Sequence, residues 1–160
     1  MDIKELFAEV ATAPVVKRAI TNHEALNEAY EYGSAFSRGM RIDLNGITIL
    51  LISGTASIDD MGCTVHVGDL RAQVRRTFDN ITKLLASEGA TWHDIVRTTC
   101  YLRDIERDYE AFNDERTTFY KRQALDPLPA STGIQAILCR PDLLVEIEAI
   151  AMFRRESPTE

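Results

Sequence analysis

The chain has 160 residues, 45% of them hydrophobic and 27% charged, which is the length of one domain with enough apolar side chains for a real core and excludes disordered and fibrous classes. Its formal charge is −7 and its longest cationic clusters are the pairs Arg75-Arg76, Lys121-Arg122 and Arg154-Arg155, so no footprint for a phosphate backbone is present and no nucleic-acid partner is expected. The longest apolar run, Ile47 to Ile52 with Thr48 inside it, is far below the roughly 20 residues that cross a bilayer, and the opening residues are not a secretory n-region, so no membrane partner and a cytoplasmic location are expected.

Asp2 to Tyr32 is helix-permissive with a break at Pro14, and Ile3, Leu6, Phe7 and Val10 fall on one helical face. Residues 1–33 are expected to form a partly helical N-terminal extension, residues 34–155 the domain, and 156–160 a tail. From Phe36 the period changes. Met40, Ile42 and Leu44 alternate with polar residues, Asn45-Gly46 follows, and Ile47 to Ile52 is nearly all apolar. An Asn-Gly pair between two such runs predicts a hairpin, because a type I′ turn needs positive φ at both central positions. Its second strand reads as buried on both faces. The small residues Ser53 to Ser57 end that strand, either as a place where a ligand or another chain approaches the backbone or as a simple loop.

Asp69 is placed to cap a helix that buries Leu70, Val74, Phe78, Ile81, Leu84 and Leu85, carries Arg71, Arg75, Asp79 and Lys83 on its other face, and stops near Gly89. Thr91 stands three residues before Asp94 as a capping box, and Ile95 to Leu102 reads as a strand. A second helix is expected from about Arg107 to Gln123, burying Tyr109, Phe112, Phe119 and Tyr120 and closed off by Pro127 and Pro129. Two strands follow, around Gly133 to Leu138 and Leu143 to Phe153, joined by a turn at Arg140-Pro141-Asp142. This order gives an α+β domain: a mixed sheet with two helices on one face.

The cysteines Cys63, Cys100 and Cys139 are odd in number and lack metal-ligand spacing, so reduced thiols, no disulfide framework and no structural zinc are expected. His66 and His93 have no partner spacing for a metal or a triad, and His93 reads as part of a helix start. No cofactor and no metal are expected.

Several segments resemble the Rid (YjgF) family. They are Leu51-Ile52-Ser53-Gly54, the helix with Gln73 and Asn80-Ile81, Gly89 to Val96, Tyr109-Glu110-Ala111-Phe112-Asn113, and Val145 to Ala151. The likeness runs from about Ser34 to Phe153 in unbroken order. It implies a chorismate mutase-like homotrimer with pockets between subunits and, by analogy with the best-known members, hydrolysis of reactive enamines and imines to ketones and ammonia.

Carried over residue by residue, the resemblance makes Glu146 the pocket glutamate, suited to holding a water or moving a proton. Glu148 shares its strand face by two-residue spacing. Asn113 matches a family asparagine. Phe36 stands where many relatives have a tyrosine, and Ser53, Gly54 and Thr55 supply backbone and hydroxyl contacts. Tyr101 and Arg103 end a strand within reach of the interface, with a surface position as the other reading of Arg103.

One departure is plain. Where deaminating members have an arginine that grips the substrate carboxylate, Pro129-Ala130-Ser131-Thr132-Gly133 has Ser131, and Gly133 replaces a family cysteine. An arginine restored at 131 would be expected beside Glu146. Arg140 is a candidate replacement anion receptor, or else a solvated turn residue. Ser53 to Ile58 and His66 to Asp69 also resemble chorismatases, which makes enol-ether hydrolysis an alternative activity, and a non-catalytic ligand-binding Rid protein is a third.

Overall fold

The structure is a computed structural model that describes residues 14–21, 26 and 33–154. Along them run β1 (Val16–Ala19), β2 (Gly39–Leu44), β3 (Ile47–Ala56), helix α1 (Leu70–Ser87), a 3-10 turn (Trp92–Asp94), β4 (Ile95–Leu102), helix α2 (Ile105–Arg122), β5 (Ala130–Gln135) and β6 (Val145–Arg154). Asn45 and Gly46 take φ of 50° and 77°, which folds β2 back on β3 as the Asn-Gly pair requires.

The six strands form one sheet in the order β1-β2-β3-β6-β4-β5. Only β4 and β5 run parallel, joined by the α2 crossover. Both helices cover the same face. Leu70, Val74, Phe78, Ile81, Leu84 and Leu85 of α1 and Phe112 and Tyr120 of α2 pack with Leu50, Ile52, Cys100, Leu102, Val145 and Ile147 of the sheet in one core. Within it Phe78 stacks on Phe119 at 4.6 Å, and Trp92 meets both edge-on. Asp69 caps α1 by accepting from the Ala72 amide, and Thr91 and Asp94 form the capping box read from their spacing.

Two buried amides tie the helix layer to the strands. Gln73 donates to the Asp142 carbonyl at 2.8 Å and accepts from the Leu144 amide at 2.8 Å, which fixes where β6 begins. Asn80 donates to the Ala56 and Ile58 carbonyls at 2.9 and 3.0 Å, which fixes where β3 ends. A chain that leaves a strand exposes carbonyls, and these side chains satisfy them in the interior.

The structure adds to the expectations at the N-terminal extension and departs from them in several strands and in α2. The described part of the extension forms a strand at Val16–Ala19, added to the edge of β2 and anchored where Arg18 and the buried Arg41 both pair with Glu88. The helical face at Ile3, Leu6, Phe7 and Val10 and the tail 156–160 lie outside the described residues. β3 is buried on one face only: Thr48, Leu50 and Ile52 point to the helices while Leu51 is 40% exposed. Tyr109 is 46% exposed rather than buried, since α2 is amphipathic and Tyr109 falls on its outer side.

The boundaries move as well. α2 begins at Ile105 because Asp104 caps it, and ends at Arg122, with Ala124 at φ 52°, before the prolines are reached. β5 begins at Ala130, three residues earlier than expected, because its parallel pairing with Arg97 to Leu102 sets its length.

Alternation leaves the other face of the sheet open. Leu51, Ile134 and Met152 there are 40%, 41% and 45% exposed, and Met40, Ile42, Ile49 and Ile150 beside them are half-buried. Among the described residues no helix is long and apolar enough to cross a membrane.

Candidate functional site

Glu146 lies on β6 opposite Tyr101 of β4 and Ala56 of β3, with its side chain on the open face of the sheet. The register of β3 against β6 shifts between Ile52 and Thr55, a bulge that turns Gly54 toward Glu146. A β-carbon at position 54 would overlap Glu146 Oε1. Only glycine leaves room for the carboxyl there, so the close approach found at this strand end is that of a side chain of the same chain, where a ligand or another chain was expected.

The carboxyl opens into a cavity of about 370 Å³ lined by Phe36, Arg38, Gly54, Cys139, Arg140 and Glu146 among others. A second recess of about 280 Å³ adjoins it, bounded by Gly54, Tyr101, Glu146 and Glu148 and by the 136–139 segment. Burial pushes the Glu146 carboxyl above the usual carboxylate range, and the Glu148 carboxylate on the same face adds to the rise. The Tyr101 phenol is also raised, by burial first and then by Glu148. Such a carboxyl holds a proton nearer neutrality than a solvated one does, as a general acid requires.

Arg140 is held in this cavity wall by donating to the Gly62 carbonyl at 2.6 Å, so it is not a solvated turn residue. Arg103 turns elsewhere. It donates to the carbonyls of Leu143 at 2.6 Å and Arg140 at 2.5 Å, clamping the loop that precedes β6, so it is half-buried rather than free on the surface. Thr55 is buried on the helix side with its hydroxyl donating to the Ser53 carbonyl. Ser53 donates to the Ser37 carbonyl at 2.7 Å, holding the Phe36 segment against β3.

Ser131 and Asn113 are not in this cavity. Ser131 faces the helix layer, where its hydroxyl accepts from Thr98 and from Arg116 of α2, both at 3.1 Å. Gly133 faces the same way, with Tyr109 and Ile105 the atoms nearest to a β-carbon built there. Thr132 points to the other side and accepts from Arg97 at 3.0 Å. β4 stands between β5 and β6, so Ser131, opposite Thr98, and Glu146, opposite Tyr101, are two strand spacings or about 10 Å apart across the sheet, a further three residues or about 10 Å apart along it, and on opposite faces. An arginine at 131 therefore does not stand beside Glu146 within one chain.

Instead Asn113, Arg116, Tyr120, Lys121, Leu125 and Ser131 line a separate cavity of about 550 Å³ between α2 and β5. Arg38 and Arg116 are among the cavity residues that the motifs did not single out. Arg116 was findable from its place one helical turn after Asn113. Among the described residues no three His, Cys, Asp or Glu side chains gather as a metal site, and Cys63, Cys100 and Cys139 are free thiols.

A family model described as Endoribonuclease L-PSP matches residues 24–153. The 3-aminoacrylate deaminase RutC of Acinetobacter baylyi is 32% identical over 103 residues, covering 64% of this chain and 78% of RutC. Among solved structures, the YjgF gene product of E. coli superposes with a TM-score of 0.70 at 25% identity, covering 86% of this chain and 99% of that one. The Rid protein YyfA of Yersinia pestis, of unknown function, gives 0.68 at 27% identity, covering 85% and 98%. The family match takes in Gly54, Asn113, Ser131 and Glu146 together with every strand from β2 to β6, and the chain belongs to the endoribonuclease L-PSP family, the Rid (YjgF) family that its motifs resemble.

Proposed function

We propose that the chain is a small-molecule hydrolase of the Rid type, acting on an enamine or imine carboxylate, with Glu146 as the proton-moving group. The observation that carries this reading is the seating of Glu146: a half-buried carboxyl of raised pKa, held against Gly54 in the wall of a cavity. Protonation of an enamine at carbon gives an iminium ion, and the carboxylate left behind accepts a proton from the water that adds to the C=N carbon, giving a neutral carbinolamine. Loss of ammonia from that adduct leaves the carbonyl product. The likeness to a relative named as a 3-aminoacrylate deaminase supports the enamine class. Cleavage of RNA, the activity in the family's description, gains nothing from a chain of net charge −7.

The site is proposed to be completed by a neighbouring copy in a homotrimer. The apolar open face of the sheet needs a cover, and a cyclic arrangement supplies it symmetrically. The Glu146 cavity and the Asn113–Ser131 cavity open on opposite sides of one chain and form a single pocket only where two chains meet.

Ammonia release from freshly generated 2-aminoacrylate and from 3-aminoacrylate is the direct test. The native chain is expected to accelerate at least one of them, and Glu146→Gln to lower kcat by ~10²–10⁴-fold, the usual contribution of a positioned general acid or base. No acceleration over buffer removes the hydrolase reading. Pyruvate release from chorismate would move it to enol-ether hydrolysis, and ligand-induced thermal stabilisation without turnover would make the chain a binding protein.

A further inference from the structure

The cavity between α2 and β5 contains a cation that pairs with no carboxylate among the described residues. Arg116 donates from Nη2 to Asn113 Oδ1 at 2.7 Å and from Nη1 to Ser131 Oγ at 3.1 Å, and its guanidinium carbon lies 5.1 Å from the centroid of the Phe112 ring. Both holders are neutral. Three carboxylates of α2 are taken elsewhere: Asp114 and Glu115 pair with Arg71 and Arg75 of α1, and Asp108 with Arg107. Among the described residues no carboxylate pairs with Arg116. A guanidinium oriented by a neutral amide and a hydroxyl, with N–H groups left over, is preorganised for an anion that comes from outside the chain.

The surroundings say what kind of anion. Ala124, Leu125, Leu128 and Pro129 give the cavity apolar walls, Lys121 adds a second positive charge and Asp126 one negative charge. The Tyr120 ring closes the wall. Its hydroxyl is out of solvent and completes no hydrogen bond, although Thr98 is close enough to offset part of the rise to about 12 that burial imposes on its pKa. It remains a protonated donor with no acceptor among the described residues.

We propose that Arg116 is the carboxylate receptor of this protein: a guanidinium supplied from α2 and oriented by Asn113 and Ser131 that takes a small monocarboxylate with an apolar body. In this arrangement Ser131 is not an empty place but the acceptor that positions the cation. Calling that carboxylate the substrate's rests on the proposed hydrolase reading; the binding itself rests only on the cavity.

Calorimetric titration of the native full-length protein with benzoate and with its neutral isostere benzamide tests the receptor. Benzoate is expected to bind about tenfold or more tightly than benzamide, the difference that one charged hydrogen bond makes. Arg116→Met should abolish that preference, and Arg116→Lys, which keeps the charge without the fork, should retain part of it. Equal affinities in the native protein, or a preference unchanged in Arg116→Met, overturns the proposal. So does failure of benzoate to bind, which would mean that a carboxylate of a neighbouring copy already occupies the guanidinium.

The Arg116 Nε–H resonance of the native protein covers the case of a variant that does not fold. It should shift on adding benzoate and not on adding benzamide, and an unmoved resonance also overturns the proposal. The native protein itself separates this from the hydrolase reading: the receptor predicts the benzoate preference whether or not the native chain releases ammonia from any enamine.

Discussion

Glu146 and Gly54 act as one unit, because the carboxyl occupies the volume that any side chain at position 54 would need. Gly54→Ala is expected to drive the carboxyl out of its seat and to lower turnover by about tenfold or more, comparable to misplacing a reacting group by an ångström, with a crystal structure of the variant showing the displaced side chain. The raised pKa of Glu146 has a thermodynamic sign as well. The folded state holds the proton more tightly than the unfolded chain, so the contribution of this group is fully present below the ordinary carboxylate pKa and is lost as pH rises through the raised folded value. Glu146→Gln should therefore melt higher than the native chain near neutrality and show no advantage in acid, as thermal melts over a pH series would show. The strand face of Glu146 was legible, since a Val-Glu-Ile-Glu alternation sets it by the apolar neighbours, whereas its place as the pocket glutamate is what the family resemblance implies. Thr55 and Arg103 were not legible: a bulge turned the first inward, and loop carbonyls that only the fold brings near captured the second.

At the scale of elements, the hairpin and both helices could be read because their signals are local: a positive-φ turn pair, a capping aspartate and an apolar face at helical spacing. β5 had no such signal. Ala130-Ser131-Thr132-Gly133 contains no alternation of apolar and polar residues, and in a strand a shift of one residue exchanges the two faces, so only its pairing with β4 decides that Ser131 looks toward α2. β1 was equally silent, as its hold comes from pairing with β2 and from Glu88 at the far end of α1. The clasp between α1 and β3 makes a prediction at this scale. Asn80→Ala leaves the Ala56 and Ile58 carbonyls unanswered in the interior and should cost about 2 kcal/mol or more by urea unfolding, loosening the Ala56–Ile58 wall of the Glu146 cavity.

At the scale of the whole molecule, the described helices leave an apolar sheet face uncovered, and the proposed trimer buries it. Light scattering should return three times the 18.0 kDa of one chain, and a stable, active monomer would contradict the shared pocket. Specific activity should also fall on dilution below the assembly range, because each pocket needs two chains.

That Glu146 and Arg116 lie on opposite faces of a single chain has a genetic consequence. If each pocket takes its glutamate from one subunit and its arginine from the next, two dead proteins can repair one another. Glu146→Gln and Arg116→Met, each inactive alone, unfolded together and refolded as a mixture, would form rings in which about a quarter of the pockets pair an intact glutamate with an intact arginine. Those pockets should turn over at the native rate, whereas the same two proteins mixed without exchanging subunits should stay silent.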